Sequence, residues 1–342
     1  MKMSEITLVT RDGARLAFDC GPNENVLDAA ATAGLFLPAM CHEGSCGLCH
    51  AHVAEGAYEM GSYAKDALSD ADQSGVLLCR CQPHGDLVID LPYPQVDIQR
   101  HEVANREAVI DALAPAGAGA VAVTLVFKPD PELGQAADFV PGQYMELTIP
   151  GTNIRRAYSL ANLPNWDGRL EFLIRLQKGG LFSSYLAERA KIGDTLIARG
   201  PLGNFVLDET SARPRCLIGG GCGFAPVLSM LRHLADFQDT QPTHLIFGAN
   251  LEDELFPSED IDTLRAALPH LGVTLSVWHP GVNWIGFTGT AADAFAKYLE
   301  NCPETPDVYV CGPPRLLEAV MAVAHERQIP PERIVFERVF QS

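Results

Sequence analysis

Cysteine spacing near the start of the sequence is the first feature with a clear chemical use. Six of the ten cysteines lie within the first 81 residues, and the segment CHEGSCGLC holds three of them. Cys79 follows this segment after 29 intervening residues. Four thiolates, three of them on one tight loop, can surround two irons, and this spacing is that of a [2Fe–2S] cluster. The predicted cluster ligands are Cys41, Cys46, Cys49 and Cys79.

Two other metal sites are weaker interpretations of the same cysteines. A zinc site would need Cys79 and Cys81 as its second pair, and this pair is one residue too close for the usual spacing. Cys81 and His84 are spaced like half of a Rieske site, but the other half is missing because position 51 is Ala rather than His. Both alternatives are therefore disfavoured against the [2Fe–2S] cluster.

The fourth cluster ligand is either Cys79 or Cys81, which lie two residues apart in LLCRCQP. Cys79 precedes Pro83 by four residues. This position resembles that of the ligand in ferredoxin sequences of the form LxCxxxP. Cys79 is therefore the predicted ligand, and Cys81 is a spare thiol.

Composition excludes several classes of function. The chain has 342 residues, of which 47% are hydrophobic and 20% charged, so a packed core is expected. Its formal charge of −18 repels phosphate backbones and anionic lipid, which argues against a nucleic acid or a membrane surface as the main partner. No run approaches the roughly 18 apolar residues of a membrane span, and the start MKMSEITLVTRDG lacks the apolar stretch of a secretory signal. We therefore expect a cytoplasmic, reducing location, where the cysteines do not form disulfides.

Changes of pattern along the chain predict three domains. Residues 1–95 combine short strands with one helix over 25–33, which suits a β-grasp ferredoxin fold. The proline-marked segment 92–100 is the predicted linker. Residues 103–208 contain many short strands, as in an antiparallel barrel, and residues 212–342 alternate strand and helix, as in a parallel sheet covered on both faces. The strands predicted in the barrel are 120–127, 143–150, 156–162, 169–176, 194–200 and 204–208.

Two motifs in the barrel region predict a flavin site. The segments RAYS, from Arg156 to Ser159, and GGLFS, from Gly179 to Ser183, resemble the RxYS and GxxS signatures of the ferredoxin–NADP reductase superfamily, whose barrel binds FAD. Arg156 offers a guanidinium fork for a pyrophosphate oxygen, and the ring of Tyr158 can lie flat against a flavin. The Ser159 hydroxyl can hydrogen-bond the reactive flavin nitrogen.

The GGLFS segment supplies the phosphate side of this site. It opens a helix, whose N-terminal N–H groups and dipole suit a phosphate. Each motif alone is weak, since Ser183 could be a plain helix cap. FMN would need fewer pyrophosphate-binding residues than FAD does. FAD is the predicted flavin. The predicted contacts from this segment are Gly180, Leu181, Phe182 and Ser183.

A strand, a glycine turn and a helix start in the third region predict a nicotinamide site. The turn is not the GxGxxG fingerprint, because Phe224 stands where the third glycine would be. It resembles the GGTGLAP turn of the same superfamily, with Cys222 in place of Thr, and the family resemblance extends to the later CGPP turn, whose Cys lies near the nicotinamide. The residues implied are Gly220, Gly221, Cys222, Gly223, Cys311, Gly312 and Pro313.

The charge of one segment bears on the choice between NADH and NADPH. The segment ANLED, residues 249–253, follows a strand where an adenosine ribose is expected. Its acidic side chains oppose a 2′-phosphate, so NADH is predicted over NADPH.

The family's terminal segment carries an aromatic residue two positions after Glu337. Here Val339 occupies that position and Phe340 follows it.

The combined motifs predict an electron-transfer chain in an α+β and α/β multidomain protein. It would consist of a β-grasp ferredoxin, an antiparallel FAD-binding β-barrel and a parallel α/β NAD-binding domain. NADH delivers electrons in pairs, the cluster accepts one at a time, and the flavin can hold two, one or none. The predicted catalytic residues are Tyr158, Ser159 and Cys311.

The whole chain resembles the reductase components of bacterial multicomponent oxygenases. LLCRCQPHGDLVIDLPY, PGTNIRRAYSLANLPN, GRLEFLIR and SVWHPG are most similar to reductases of soluble methane- and alkene-type di-iron monooxygenases. This resemblance implies a di-iron hydroxylase as partner. We expect the reductase to be monomeric by itself. The 13 acidic and 5 basic residues of 1–96 indicate either ordinary solubility or a face that docks the electron acceptor.

Two other functions stay open. Reductases of benzoate-type ring-hydroxylating dioxygenases share the same domain order and are the second interpretation. A redox-sensing flavo-iron–sulfur protein that never turns over is the third. Rapid NADH-dependent reduction of cytochrome c or ferricyanide separates a reductase from a sensor.

Overall fold

The computed structural model divides the chain into two compact units, Met1–Ala104 and Asn105–Ser342. Among the described residues, no helix combines the length and the apolar content needed to cross a bilayer. The described residues are 3–39, 42–44, 47–68, 74–100, 103–256 and 258–339. Short 3-10 helices cover Lys65–Ala67, Gln95–Asp97, Gly221–Gly223, Glu252–Glu254 and Pro331–Arg333.

The first unit is one short helix on a mixed sheet, as predicted for a ferredoxin fold. Its five-stranded sheet has the order β2-β1-β7-β3-β5, in which β1 and β7 are parallel, and β4 and β6 form a separate pair. The elements are β1 (Ser4–Val9), β2 (Arg15–Cys20), α1 (Val26–Thr32), β3 (His50–Glu55), β4 (Tyr58–Met60), β5 (Gly75–Leu77), β6 (Cys81–Pro83) and β7 (Leu87–Asp90).

Helix α1 has the start and stop that its sequence predicts. The Asn25 side chain accepts a hydrogen bond from the Asp28 N–H, which satisfies one of the free donors of the first turn. Gly34, just past the end, has a φ of +77°, which glycine adopts without the cost that a Cβ imposes. Val26, Leu27, Ala29 and Ala30 are the buried residues of the helix, and the sheet contributes Ile6, Leu8 and Ile89 to the same core.

The segment predicted as a linker packs on the first unit as far as Gln99. The main chains of Phe36 and Gln99 exchange two hydrogen bonds, of 2.9 and 3.1 Å. Ile98 is buried in the same core. Residues 92–99 therefore pack on this unit, in the segment where the sequence predicted a linker.

The second unit begins with an antiparallel sheet in the order β11-β10-β13-β8-β9-β12. Leu160, next to β11, bridges Phe172 of β12, so the two edge strands meet and the sheet closes as a barrel. The elements are β8 (Asn105–Pro115), β9 (Ala120–Phe127), β10 (Tyr144–Thr148), β11 (Arg155–Ser159), β12 (Arg169–Arg175), α2 (Leu181–Glu188) and β13 (Thr195–Leu202).

A parallel sheet with the order β17-β16-β15-β14-β18-β19 completes the second unit. Helices α3 and α4 belong to the core on one face, and α5 and α6 to the core on the other. The strands are β14 (Arg215–Gly220), β15 (Thr243–Ala249), β16 (Leu271–Val277), β17 (Phe287–Thr288), β18 (Asp307–Gly312) and β19 (Ile334–Arg338). The helices are α3 (Phe224–Asp236), α4 (Ser258–Ala267), α5 (Ala291–Asn301) and α6 (Pro314–Glu326).

Candidate functional site

Two of the four predicted cluster ligands lie together in the first unit. The Sγ atoms of Cys49 and Cys79 are 3.4 Å apart, and both side chains are buried. This separation is well beyond the roughly 2.0 Å of a disulfide, and it suits two thiolates that share a metal centre. Cys49 directly precedes β3 and Cys79 follows β5, so the antiparallel pairing of these strands brings the two thiols together. Cys41 and Cys46 lie outside the described residues.

Cys81 has different surroundings from Cys79. It lies on β6 opposite Met60 and is fully buried. Burial, with a smaller effect from the nearby Cys20 thiol, raises the pKa of Cys81 to about 12. Cys81 therefore packs as a neutral thiol in the core, and Cys79 as the fourth ligand stays a prediction.

The two predicted flavin motifs meet at the barrel. Arg156 and Tyr158 lie on the same face of β11, opposite Leu147 and Met145 of β10. The ring centroid of Tyr158 is 5.3 Å from that of Phe182 in α2. Burial raises the pKa of the Tyr158 phenol well above its usual range, so the ring stays neutral. The structure thus places a flat neutral ring between the RAYS strand and the GGLFS helix.

The start of α2 fits a phosphate. Gly180 precedes the helix and Gly179 has a φ of +80°. The Ser183 Oγ accepts a hydrogen bond of 2.9 Å from the Gln177 N–H and can still donate its own hydrogen. First-turn N–H groups of a helix have no partner within the helix, so the turn can receive an anionic ligand. Leu181 is exposed at the same turn.

Ser159 and Cys311 converge on a carboxylate that sequence analysis named only as a residue of the terminal segment. The Ser159 Oγ donates to Oε2 of Glu337 at 2.9 Å, and the Cys311 Sγ lies 3.9 Å from the same oxygen. Cys311 and Glu337 are opposite each other in the parallel pair β18–β19. No sequence signal gives this register, because it depends on how the terminal strand aligns with its neighbour.

Glu337 is a buried acid with a shifted pKa. Burial raises its pKa to about 7, and hydrogen bonds from Ser159 and Cys311 oppose the shift. Burial also raises the pKa of the Cys311 thiol far above its usual range. The group therefore consists of a hydroxyl, a neutral thiol and a carboxyl that can change its charge near neutral pH.

The glycine turn packs directly against the CGPP turn. A Cβ added at Gly223 would lie 2.2 Å from the Cys311 carbonyl oxygen, and one at Gly220 would lie 2.4 Å from Leu316 Cδ2 and 3.4 Å from Pro313 Cδ. Only glycine permits this approach at position 223, because the atom in the way is main chain. Gly221, Cys222 and Gly312 belong to the same two turns, so all seven predicted nicotinamide residues lie at one edge of the parallel sheet.

Three protein-family models match successive parts of the chain, from the first unit to α6. The matching family models are the 2Fe-2S iron-sulfur cluster binding domain over residues 9–84, the oxidoreductase FAD-binding domain over 124–207 and the oxidoreductase NAD-binding domain over 217–322. The toluate 1,2-dioxygenase electron transfer component of Pseudomonas putida is 34% identical over 96% of each chain. Methane monooxygenase component C of Methylosinus trichosporium is 36% identical over 87% of each chain. The propane 2-monooxygenase reductase component of Mycolicibacterium goodii is 32% identical over 94% of each chain.

The chain belongs to the electron-transfer reductase components of multicomponent oxygenases.

Solved structures agree with this family. The Amycolatopsis cytochrome P450 reductase GcoB superposes with a TM-score of 0.76 and 27% identity, covering 97% of this chain and 98% of that one. The ferredoxin reductase in carbazole 1,9a-dioxygenase gives a TM-score of 0.73 and 25% identity, covering 99% and 100%. The reductase is thus an FAD- and NAD-dependent oxidoreductase with a [2Fe–2S] ferredoxin domain, as the sequence predicted.

In this reductase, Arg175 is a site residue that sequence analysis missed. It lies at the end of β12 and its Nη2 contacts Oε1 of Glu254 at 2.6 Å. Its guanidinium also opposes the effect of burial, which raises the pKa of Cys222 to about 12. Arg175 therefore links the end of β12 to Glu254 and lies beside the glycine turn, where its Nη1 is 3.9 Å from a Cβ built at Gly221. An arginine at the end of a strand carries no distinctive sequence signal.

The acidic segment of the reductase at 249–253 has structural contacts as well. Oε1 of Glu252 accepts a hydrogen bond of 2.6 Å from the Gly281 N–H. The main-chain oxygen of Asp253 accepts one of 2.7 Å from the Ala118 N–H. The negative charge predicted to disfavour a 2′-phosphate is therefore held in a fixed loop beside β15.

Proposed function

We propose that this reductase passes electrons from NADH through FAD and a [2Fe–2S] cluster to the hydroxylase of a di-iron monooxygenase. The observation that carries the electron-transfer path is the convergence of Ser159 and Cys311 on Oε2 of Glu337. This contact joins the flavin motif of the barrel to the nicotinamide motif of the parallel sheet. The buried pair Cys49 and Cys79 supports the cluster at the other end of the path.

The proposed assignment gives each predicted residue one task. Arg156 and the start of α2 bind the FAD pyrophosphate, and Tyr158 packs against the flavin. Cys311 and the two turns bind the nicotinamide and its pyrophosphate. The proposed domains are 1–95 for the cluster, 103–208 for FAD and 212–342 for NAD, and the proposed cluster ligands are Cys41, Cys46, Cys49 and Cys79.

The residues of the site have to orient the bound groups and keep water out. When bound, NADH would supply an electron pair, FAD would accept and divide it, and the cluster would take single electrons. Tyr158, packed on Phe182, closes the apolar side of the flavin motif. Ser159 is oriented by its hydrogen bond to Glu337, and Cys311 contributes a neutral thiol with no accessible surface. Proximity and orientation of the two rings are the main contributions expected from the protein.

Similarity to both oxygenase classes leaves two candidate partners. The di-iron partner is supported by the methane and propane monooxygenase relatives, at 36% and 32% identity. A Rieske-type dioxygenase is the second candidate, because the toluate 1,2-dioxygenase component is 34% identical over a larger share of the chain. Segments such as PGTNIRRAYSLANLPN favour the monooxygenase.

The deciding experiment pairs the holoprotein with purified oxygenases. We expect NADH-dependent oxidation of substrate with a di-iron hydroxylase and none with a Rieske oxygenase. The Cys79→Ser variant is the control, since it should keep NADH-dependent ferricyanide reduction and lose the coupled oxidation. Coupling to the Rieske oxygenase alone would reverse the proposed partner, and absence of ferricyanide reduction by the wild type would reject a reductase altogether.

NADH is the proposed electron donor. The fixed acidic loop after β15 opposes the extra phosphate of NADPH, and like charges in close contact are costly. We expect kcat/KM for NADH to exceed that for NADPH by about tenfold or more, since a mismatched charge costs more than about 1.4 kcal/mol. A preference for NADPH in steady-state ferricyanide reduction would contradict this.

A further inference from the structure

Helix α3 connects the two halves of the proposed active site. It starts directly after the Gly221–Gly223 turn, which packs against Cys311, and its middle contacts the chain just beyond Ser159. Ser229 of α3 is fully buried, and its Oγ donates a hydrogen bond of 2.6 Å to the main-chain oxygen of Asn162. A short polar contact thus joins the nicotinamide side to the flavin side.

Arg232, one turn further along α3, makes three more contacts. Its Nη1 donates to the main-chain oxygen of Ala161 at 2.9 Å and to Oε2 of Glu171 at 3.1 Å. Its Nη2 donates to Oδ1 of Asp260 on α4 at 3.0 Å. The guanidinium is planar, so bonds in these fixed directions define the position of the barrel chain relative to both helices.

The chain that accepts these bonds is itself held rigidly. The Asn162 Nδ2 donates to the main-chain oxygen of Arg169 at 2.8 Å, and its Oδ1 accepts from the Glu171 N–H at 2.9 Å. The Ala161 N–H donates to the Glu171 carbonyl at 2.8 Å. Both acceptor carbonyls therefore have fixed positions next to β11.

We propose that Ser229 and Arg232 are positioning residues that set the nicotinamide turn against the flavin strand. The path between the two sites is short and stiff. Ser159 and Ala161 are two extended residues apart, about 7 Å, and Gly223 and Ser229 are six helical residues apart, about 9 Å. This inference rests on the proposed function, because it concerns the same electron transfer from NADH.

Two variants of the holoprotein test the proposal. Ser229→Ala and Arg232→Met should each lower the limiting rate of flavin reduction by NADH by about fivefold or more, because small misplacements of reacting rings are costly. The KM for NADH should change little. The long-wavelength charge-transfer absorbance that forms when NAD⁺ is added to the photoreduced protein should lose amplitude in both variants.

Two further variants show whether the effect is specific. Arg232→Lys should recover part of the rate and amplitude, since an ammonium can still donate to the Ala161 carbonyl. Arg213→Met is the matched control: its contact with Glu304 is 3.9 Å long and involves neither of the carbonyls that Ser229 and Arg232 contact, so it should behave as the wild type.

Several results would overturn the proposal. Wild-type rates and amplitudes in both Ser229→Ala and Arg232→Met would do so. A proportional loss of flavin-to-cluster transfer after photoreduction would point to general damage and would do so as well. If Arg232→Met does not fold, Ser229→Ala, which removes a single oxygen, decides. A wild type that NADH does not reduce would instead reject the proposed function.

Discussion

Two cysteines two positions apart, Cys79 and Cys81, face different surroundings. Cys79 lies 3.4 Å from Cys49, and Cys81 is enclosed in the core near Cys20. We expect Cys79→Ser to lose the cluster and Cys81→Ser to keep it. Iron content and visible absorption of the two purified variants measure this. Loss of iron from Cys81→Ser alone would move the ligand by two residues.

The buried carboxyl of Glu337 should give the second unit a pH-dependent stability. Burial raises its pKa from the usual 4.5 to about 7. Between these values the folded state holds a proton that the unfolded chain has released, so stability falls as the pH rises from about 4.5 to about 7. The difference corresponds to a loss on the order of 3 kcal/mol.

Two variants measure this dependence. Glu337→Gln carries no ionisable group there, so its urea-unfolding midpoint should vary less between pH 4.5 and 7 than that of the wild type. Ser159→Ala removes a hydrogen bond that favours the charged carboxyl, so its loss of stability should extend to a higher pH. Identical pH profiles for Glu337→Gln and the wild type would contradict the assignment.

Glu337 also shows why site residues differ in how well the sequence predicts them. Arg156, Tyr158 and Ser159 lie in one motif, and the order of their residue types is enough to indicate a flavin site. The contact between Ser159 and Glu337 joins positions 178 apart, and only the alignment of β19 with β18 brings the carboxylate there. Residues such as Arg175 are missed for the same reason, since their role depends on long-range packing.

At the scale of elements, the contact between the two nicotinamide turns should tolerate no added atom. In Gly223→Ala, the new Cβ would meet main-chain atoms of Cys311 and Gly312 at 2.2 to 2.8 Å. We expect a loss of tenfold or more in kcat/KM for NADH, because the turns must separate, with flavin and cluster absorbance retained. Steady-state ferricyanide reduction measures it.

Gly221→Ala is the comparison variant for this turn. Among the residues that the structure describes, its Cβ would have only Arg175 Nη1, at 3.9 Å, within contact distance, although the φ of +55° makes the change cost about 1–2 kcal/mol. Its kcat/KM for NADH should fall less than that of Gly223→Ala. Equal losses in the two variants would mean that backbone strain, rather than the close approach, explains the effect.

The regular elements were largely predictable because their sequences are consistent locally. The predicted alternation of strand and helix over 212–342 is observed, for example at β18 and α6, and the helix predicted over 25–33 is observed as α1, with Asn25 and Gly34 at its ends. Strand β8 was missed, because NREAVIDALAP is rich in residues with low strand propensity and is stabilised by pairing with β9 and β13. The predicted strand over 204–208 is irregular, although Phe205 is buried there.

At the scale of the whole molecule, charge should govern the encounter with the oxygenase. The chain carries a formal charge of −18, and 13 of its acidic residues lie in 1–96. If an acidic face docks on a basic partner, the transfer rate should fall by about tenfold between low and high salt, because the Debye length shrinks from about 10 Å at 0.1 M to about 3 Å at 1 M.

Stopped-flow mixing with the hydroxylase at several ionic strengths measures this rate. Flavin reduction at saturating NADH is the internal control and should change much less, because that step takes place within one chain. A transfer rate that is constant or rises with salt would indicate docking through apolar contacts instead.

The bond between Ser159 and Glu337 also has a consequence for folding. The two residues are 178 positions apart, and closing a loop of this length costs chain entropy. Only the contacts of a nearly complete tertiary structure offset that cost. The barrel can assemble from neighbouring strands, but the carboxyl reaches Ser159 only after β19 has joined the parallel sheet. During refolding from urea, recovery of NADH oxidation should therefore lag behind recovery of secondary structure, so that turnover itself reports the last step of assembly.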